Sequence, residues 1–384
     1  MISRQDIERI EQLPDTDMVL MAVIHDSPAD VDNEGGGLTT RAKVLMKEAG
    51  VPLTVMDQVL DDLTGPRSSR SALYVVGGDL FERYDLQLDL PERVHYGRPN
   101  PAILQSVLEA SPSVGVLAMD REWARLFVLE QGELQELTRQ ENGGLTRDRG
   151  DSMTTGTRHA PGTPGSGGTD QGSGPRSDSA NDLFQNYQDA QQHQFYKDME
   201  HRLQIYLREL GLKALVLVGP EERVADFRAV VPEKAPYEVI GHTNANVGTG
   251  SVGTGKLRNL VMPLVEAYQN QQDDQLLADI QEKGVMEVER VLELAQQGNL
   301  YRLAIPEDGA QMHLYRSHNR EVPYLTSREV QESPLDGSLM ERVTLEEALP
   351  QLTALSGTQV RRLRGDHAAR LVKEFGGLAG LPRY

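Results

Sequence analysis

The feature that most constrains the fold of this chain is a long stretch, residues 143–180, that cannot form a core. It contains ten glycines, one leucine and one methionine, and it has no Ile, Val, Phe, Tyr or Trp. Such a composition buries too little apolar surface to offset the entropy lost when the chain becomes ordered. Regularly spaced apolar residues resume directly afterwards. We therefore expect a long mobile loop inside a folded domain.

The residues before this loop predict a β-meander. Two apolar runs, 114–120 and 124–130, read as strands, and residues 121–123 form the turn between them. Gln131 and Gly132 then predict a second tight turn that leads into another strand. The chain therefore enters the loop from an antiparallel sheet.

The residues after the loop predict a long helix followed by buried strands. Ser179 and Asp182 form a capping-box pattern, which indicates a helix start, and apolar residues between 184 and 210 recur mostly at spacings of three and four. Strands are predicted at 213–220 and 237–240, with a helix between them. The loop thus interrupts a sheet that has helices packed against it.

In the rest of the chain, predicted strands alternate with predicted helices, and this alternation predicts an α/β fold. Further strands are predicted at 17–24, 71–78, 300–305 and 358–363, with an extended return beginning at 82–86, and further helices at 38–50, 53–63, 257–271, 273–298, 345–355 and 367–374.

A chain of 384 residues is too long for one ordinary core, so we expect several domains. We predict an N-terminal α/β domain at 1–111 and a central domain at 112–245 that carries the flexible loop 143–180. A helical connector at 246–298 then leads into a C-terminal α/β domain at 299–384.

Composition and charge exclude several classes of function. The chain has no cysteine, which rules out disulfides, thiolate metal sites and a cysteine nucleophile. The net charge of −19 argues against nonspecific binding of duplex DNA, which needs clustered Lys and Arg. No apolar run approaches the roughly 20 residues of a membrane-spanning helix, so we expect a soluble, cytoplasmic protein without a membrane partner.

The end of the chain is locally basic, unlike the whole. Arg361, Arg362 and Arg364 lie in a segment with few acidic residues, and they are our candidates for contact with RNA. The alternative is that these arginines belong to a solvated surface without a nucleic-acid partner.

No pattern predicts a cofactor or a metal. Residues 250–256 match the Gly-x4-Gly-Lys part of a phosphate-binding loop, but the next residue is Leu257 where a magnesium-binding Ser or Thr is needed. The nine histidines are scattered: His193 and His201 share one helix face, and Lys197 lies midway between them. We therefore predict neither a nucleotide cofactor nor a metal site.

Several segments in their order resemble the bacterial archaeo-eukaryotic release-factor family, part of the class-1 release factor and Pelota superfamily. The hairpin 114–127 is similar to the start of the central domain of these proteins. The glycine-rich loop, the long helix and the strand 215–220 follow in the order of that family. Residues 73–84 are similar to the first domain of bacterial members, and the glycine-rich 375–384 is similar to their ending.

This resemblance implies three domains: a variable N-terminal domain, a central ribonuclease-H-like domain with a mixed sheet, and a C-terminal α/β domain resembling the kink-turn-binding ribosomal proteins. It also implies binding to rRNA and tRNA in the ribosomal A site, with a translational GTPase as a further candidate partner. In hydrolytic members a Gly-Gly-Gln or Gly-Ser-Gln tip helps water attack the ester that joins peptide to tRNA.

This chain departs from that tripeptide. Gly167 and Gly168 are separated from Gln171 by two residues, one of which is Asp170. We assign Gly167, Gly168 and Gln171 as candidate catalytic residues and Arg176 as a candidate phosphate contact. Two functions stay open: a rescue or quality-control factor that hydrolyses peptidyl-tRNA, and a noncatalytic ribosome binder that acts in hibernation or subunit splitting.

Overall fold

The computed structural model describes residues 2–14, 17–142, 176–246, 253–307, 312–319, 322–354 and 358–383. The described chain is a mixed α/β protein with several sheets, as the sequence predicted. Its α-helices are α1 Arg4–Glu11, α2 Gly37–Glu48, α3 Leu53–Leu63, α4 Pro101–Glu109, α5 Arg176–Glu209, α6 Glu221–Val230, α7 Thr254–Lys283, α8 Val288–Gln296, α9 Leu345–Ala354 and α10 Gly365–Phe375.

Fifteen strands belong to four sheets within the described ranges. They are β1 Val19–His25, β2 Ser71–Gly77, β3 Leu80–Leu86, β4 Arg93–Gly97, β5 Val114–Met119, β6 Trp123–Glu130, β7 Glu133–Glu141, β8 Ala214–Val218, β9 Glu238–Thr243, β10 Leu300–Pro306, β11 His313–Ser317, β12 Leu325–Thr326, β13 Met340–Thr344, β14 Gln359–Leu363 and β15 Ala379–Pro382.

The chain divides into two compact units. The first unit contains residues 1–112, 131–133 and 267–384, and the second contains 113–130 and 134–266. The division falls inside α7, so this helix contributes to both units. The division into three domains that we inferred from the sequence is not tested by this division into two units and stays a prediction.

The N-terminal half of the first unit is an antiparallel sheet in the order β3-β2-β1-β4. Alternate residues of a strand point to opposite faces. In β1, Met21 and Val23 join one apolar cluster with Ile10 of α1 and Ile103 of α4. Leu20, Ala22 and Ile24 join the opposite cluster, which contains side chains of α2 and α3. Both faces of β1 are therefore buried, as its continuous apolar run predicted.

The C-terminal half of the first unit has two three-stranded sheets. In the sheet β14-β10-β15, β10 pairs in parallel with β14 and antiparallel with β15. Leu303 and Ile305 of β10 pack into a cluster with α8 and α9, and Ala304 packs on the other face against α7 and α10. The second sheet, β12-β11-β13, is antiparallel.

The second unit is built on a five-stranded mixed sheet in the order β7-β6-β5-β8-β9. β5 pairs antiparallel with β6 and parallel with β8, and β8 pairs in parallel with β9. Phe195, Met199 and Leu203 of α5 pack on this sheet, which confirms the middle of the apolar stripe predicted for the long helix. Tyr187 and Leu210, near the two ends of the predicted stripe, are exposed. Gln131 and Gly132 both have positive φ, 49° and 77°, as a two-residue hairpin turn between twisted strands requires.

Three boundary predictions were wrong. α5 begins at Arg176 and not at the capping pattern of Ser179, so residues 176–180 are helical where the sequence placed them in the loop. Residues 254–283 form one helix that runs through 272 with Pro263 inside it, where the sequence predicted two helices. The predicted helix 273–298 is interrupted at 284–287, and α8 begins at Val288. Residues 143–175, which hold the rest of the predicted loop, lie outside the described residues. Across the described ranges, no helix is both long and apolar enough to cross a membrane.

Candidate functional site

The predicted catalytic segment leaves the second unit at Asn142 and returns at Arg176. Asn142 directly follows β7, and Arg176 is the first residue of α5. Gly167, Gly168 and Gln171, and the side chain of Arg176, lie outside the described residues. Their proposed roles therefore stay predictions, and the geometry of the site begins with the residues that support this segment.

Asn142 is tied to the fold through its backbone and its side chain. Its backbone N donates to Glu122 O over 2.7 Å. Its Nδ2 donates to Arg121 O and to Gln192 Oε1, each over 3.3 Å. Asn142 is only 4% exposed, and Gln192, which lies on α5, is 6% exposed. These buried bonds join the end of β7 both to the β5–β6 turn and to the long helix.

The β5–β6 turn is held by Asp120. Its Oδ1 accepts from the backbone N of Glu122 and of Trp123, each over 2.7 Å, which is the side-chain mimicry of a backbone turn that favours Asp at such positions. Its backbone O accepts from the hydroxyl of Tyr196 over 3.2 Å. Burial raises the pKa of Tyr196, so this phenol stays protonated and continues to donate.

We call this cluster the loop base: Asp120, Arg121, Asn142, Gln188, Gln192 and Tyr196. Arg121 completes it by donating to Gln188 Oε1 on α5. The bonds of the loop base fix the backbone from which the segment 143–175 departs relative to the helix to which it returns. The loop base therefore gives the end of β7 rigid support beside α5.

The loop base was not recognised from the sequence. Asn142 and Gln192 are 50 residues apart, and no local pattern links them. The Asp120 turn did carry a local signal, since Asp at the start of a hairpin turn commonly bonds the backbone two residues further on.

The candidate RNA-binding arginines lie in the first unit, on and after β14. Arg361 Nε lies 2.6 Å from Asp273 Oδ1 on α7, and its side chain is 28% exposed. Arg362 points to the opposite face, where NH1 lies 2.8 Å from Glu346 Oε1 and the side chain is 6% exposed. Burial gives Arg362 a structural role, whereas Arg361 retains partial access to solvent.

Arg364 follows β14 and is the most exposed of the three arginines. Its Nε lies 2.8 Å from Glu307 Oε1, and its NH1 donates to Ala110 O over 3.1 Å. The three arginines are thus close in sequence but have different surroundings. Their contact with RNA stays a prediction.

Neither the loop base nor the arginine segment has the ligands of a metal centre. In the part of the chain that the structure describes, no group of three or more His, Asp or Glu side chains is placed to hold a metal ion.

The second unit thus defines a class of α/β protein in which a long glycine-rich insertion separates a β-meander from a long helix. Residues 99–253, a span that includes the loop base and the insertion, match the sequence profile described as "Bacterial archaeo-eukaryotic release factor family 10". This match confirms the resemblance to the bacterial archaeo-eukaryotic release-factor family. No curated protein sequence matches the chain significantly.

Solved structures of release factors and Pelota proteins are also similar to this chain. The archaeal translation termination factor aRF1 is 16% identical, with 100% of this chain and 99% of that chain covered and a TM-score of 0.23. Archaeoglobus fulgidus Pelota is 15% identical, with 82% and 79% covered and a TM-score of 0.31. S. cerevisiae Dom34, a translation termination-like factor involved in RNA quality control pathways and interacting with Hbs1, is 10% identical, with 100% of this chain and 93% of that chain covered and a TM-score of 0.41.

Proposed function

We propose that this protein is a ribosome-associated translation factor of the release-factor and Pelota type, acting in ribosome rescue or quality control. The observation that carries the proposal is the family match across residues 99–253, the segment that contains the glycine-rich insertion and the mixed sheet bearing it. The insertion is rich in glycine, and a glycine backbone can approach a substrate closely because it has no Cβ.

In the catalytic form of the proposal, the segment hydrolyses peptidyl-tRNA. Gly167 and Gly168 let backbone N–H groups approach the ester, where such donors stabilise the developing oxyanion. Gln171 orients the attacking water, and Arg176 contacts a tRNA phosphate. The loop base holds the Asn142 end of the segment against α5 at Gln188 and Gln192.

The test is peptide release from purified ribosomes that carry peptidyl-tRNA. We expect the wild-type protein to release peptide and Gln171→Ala to release little. Thr169→Ala is the matched control, because it truncates a side chain two residues away that has no assigned role. No release by the wild-type protein, or equal release by Gln171→Ala, contradicts the catalytic form.

A second candidate function is noncatalytic binding, in hibernation or in subunit splitting. It is favoured by the absence of a contiguous Gly-Gly-Gln or Gly-Ser-Gln tripeptide from the full sequence. The charge of Asp170 beside the candidate glutamine also disfavours approach to tRNA phosphates. Deletion of residues 143–175, with a short Gly-Ser linker between Asn142 and Arg176, separates the two functions. Ribosome co-sedimentation that survives this deletion, together with an absence of peptide release by the wild-type protein, supports the noncatalytic function.

The proposed partners are rRNA and tRNA in the A site and a translational GTPase. We place the protein in the cytoplasm with the ribosome. Pull-down of ribosomes and of a GTPase with the tagged full-length chain tests these partners. The absence of ribosomal proteins from the pull-down contradicts the proposal.

A further inference from the structure

A cleft in the first unit is lined in part by Arg361, a candidate RNA contact, and takes no part in the loop chemistry proposed above. It lies between the middle of α7 and the first residues of β10 and β14, and its volume is about 260 Å³. Three chemical types line it: apolar side chains, carboxamides and guanidinium groups. Its lining residues are Pro112, Tyr268, Gln269, Gln272, Leu276, Arg302, Gln359, Val360 and Arg361.

The apolar part of the lining suits a flat ring. Tyr268 is the aromatic side chain of the cleft, and Leu276 and Val360 supply aliphatic surface near it. Stacking of a nucleobase on an aromatic side chain contributes about 1–3 kcal/mol and depends little on which base is stacked.

The carboxamides suit the edge of a base. Each Gln side chain carries both donors and an acceptor, as the edges of all four bases require. Gln269 is held in place because its Nε2 donates to Ala110 O over 3.3 Å. Gln272 and Gln359 are exposed at the cleft and can adjust to different bases.

The guanidinium groups suit a phosphate. Arg302 lies opposite Gln359 in the β10–β14 register, and its Cζ lies 5.3 Å from the ring centroid of Tyr301. Arg361 uses Nε for its bond with Asp273, which fixes the plane of the guanidinium group. Planar, fixed guanidinium groups are the side chains best suited to phosphate oxygens.

Two carboxylates lie beside the cleft, and each has a side-chain partner. Asp273 is paired with Arg361, and Asp274 Oδ1 lies 3.0 Å from His367 Nε2. Because Asp273 balances the charge of Arg361, Arg302 is the group of the lining that attracts a phosphate by its charge, and Arg361 contributes N–H donors.

We propose that this cleft binds a single unpaired nucleotide of an RNA strand. Its volume lies just below the usual range of ligand pockets, about 300–1,000 Å³, so it fits one nucleotide and not a longer stretch. A base can enter such a cleft only from a loop, a bulge or a single strand, because paired bases are stacked inside the helix. The inference rests on the proposed function in that rRNA is the RNA that the protein would meet.

The experiment measures fluorescence anisotropy of a fluorescein-labelled single-stranded RNA ten-mer of mixed sequence with the full-length protein at low salt. We expect single-stranded RNA to bind more tightly than the matched duplex. Tyr268→Leu should weaken binding about five-fold or more, as loss of one stacked base does. Arg302→Gln should weaken binding and reduce the slope of log affinity against log salt by about one.

Arg290→Gln is the matched control, because Arg290 lies in the same unit in an exposed pair with Glu293 and away from the cleft lining. It should bind RNA as the wild type does. Circular dichroism checks that each variant is folded. Ultraviolet cross-linking of a ten-mer that contains 4-thiouridine tests the wild type without any variant, and we expect cross-links at residues 268–276 or 359–361.

Equal binding of duplex and single strand, equal effects of Arg290→Gln and Arg302→Gln, or cross-links elsewhere would overturn the proposal. Binding of free AMP without binding of the ten-mer would also overturn it. Ribosome co-sedimentation is scored separately: its failure removes the proposed function, while the ten-mer result still decides the chemistry of the cleft.

Discussion

Removal of the charge of Glu346 should cost the first unit a large part of its stability. Glu346 Oε1 lies 2.6 Å from Arg93 NH1 and 2.8 Å from Arg362 NH1, and the Glu346 side chain is 5% exposed. Arg362 also donates through NH2 to Ala102 O over 3.4 Å. One buried carboxylate therefore bridges two largely buried guanidinium groups within the first unit.

Glu346→Gln keeps the shape of the side chain and removes the charge. Glu109 then remains as a second carboxylate near Arg362, with Oε2 3.6 Å from Nε, so one positive charge loses its compensation. Removing one partner of a buried ion pair costs about 3–5 kcal/mol, because the other charge is left buried. That is a large part of the roughly 5–15 kcal/mol by which folded domains are stable.

Urea denaturation followed by far-UV circular dichroism measures this loss. Tryptophan fluorescence is the wrong probe, since Trp123 is the single tryptophan and belongs to the second unit. Glu293→Gln removes a carboxylate of an exposed pair with Arg290 and should cost at most about 1 kcal/mol. A Glu346→Gln loss no greater than that of this control would refute the reasoning.

Two further predictions follow from the same structure. Burial raises the pKa of Glu109 although Arg362 acts in the opposite direction, so the stability that its protonated form contributes is fully present below the ordinary pKa and is lost as pH rises through the raised pKa. Thermal denaturation from pH 4 to 8 should therefore show the Tm of Glu109→Gln rising relative to the Tm of the wild type as pH increases. A Tm difference that does not change with pH would contradict this. Gly219→Ala should destabilise the second unit more than Gly115→Ala, because a Cβ at residue 219 meets the backbone O of Met119 at 2.3 Å. At Gly115 the contacts below 3.4 Å are methyl groups of leucine side chains, which can move. Equal shifts of the unfolding transition followed by tryptophan fluorescence would contradict that difference.

Local periodicity and turn chemistry were sufficient to predict most of the regular elements. The α3 bounds, Leu53–Leu63, agree with the prediction, and α2 ends before Gly50, which has the positive φ of a helix terminator. The meander before the insertion and the buried strand β8 were also predicted. These elements have continuous apolar patterns that few other structures accommodate.

The missed helices α1 and α4 are short, and their sequences carried capping signals that apolar patterns do not show. α1 begins with a capping box between Ser3 and Asp6, and α4 begins with Asn100 as its N-cap and Pro101 in its first turn. The continuity of α7 was missed because its Gln-rich centre shows little apolar periodicity.

The candidate site divides in the same way. The composition of 143–180 predicted the insertion, whereas the buried bonds between Asn142 and Gln192 depend on tertiary contacts and have no local signature. The arginines after residue 360 were selected by charge alone. In the structure Arg362 is buried, whereas Arg361 and Arg364 are more accessible. This difference depends on which face of β14 each side chain occupies, and charge alone does not show it.

The most direct test of the central proposal is co-sedimentation of the purified full-length chain with ribosomes through a sucrose cushion at low salt. We expect the protein to pellet with ribosomes, to remain in the supernatant without them, and to compete for binding with A-site tRNA. A protein that stays in the supernatant at every ribosome concentration, or that pellets without competition from A-site tRNA, contradicts a release-factor-like function.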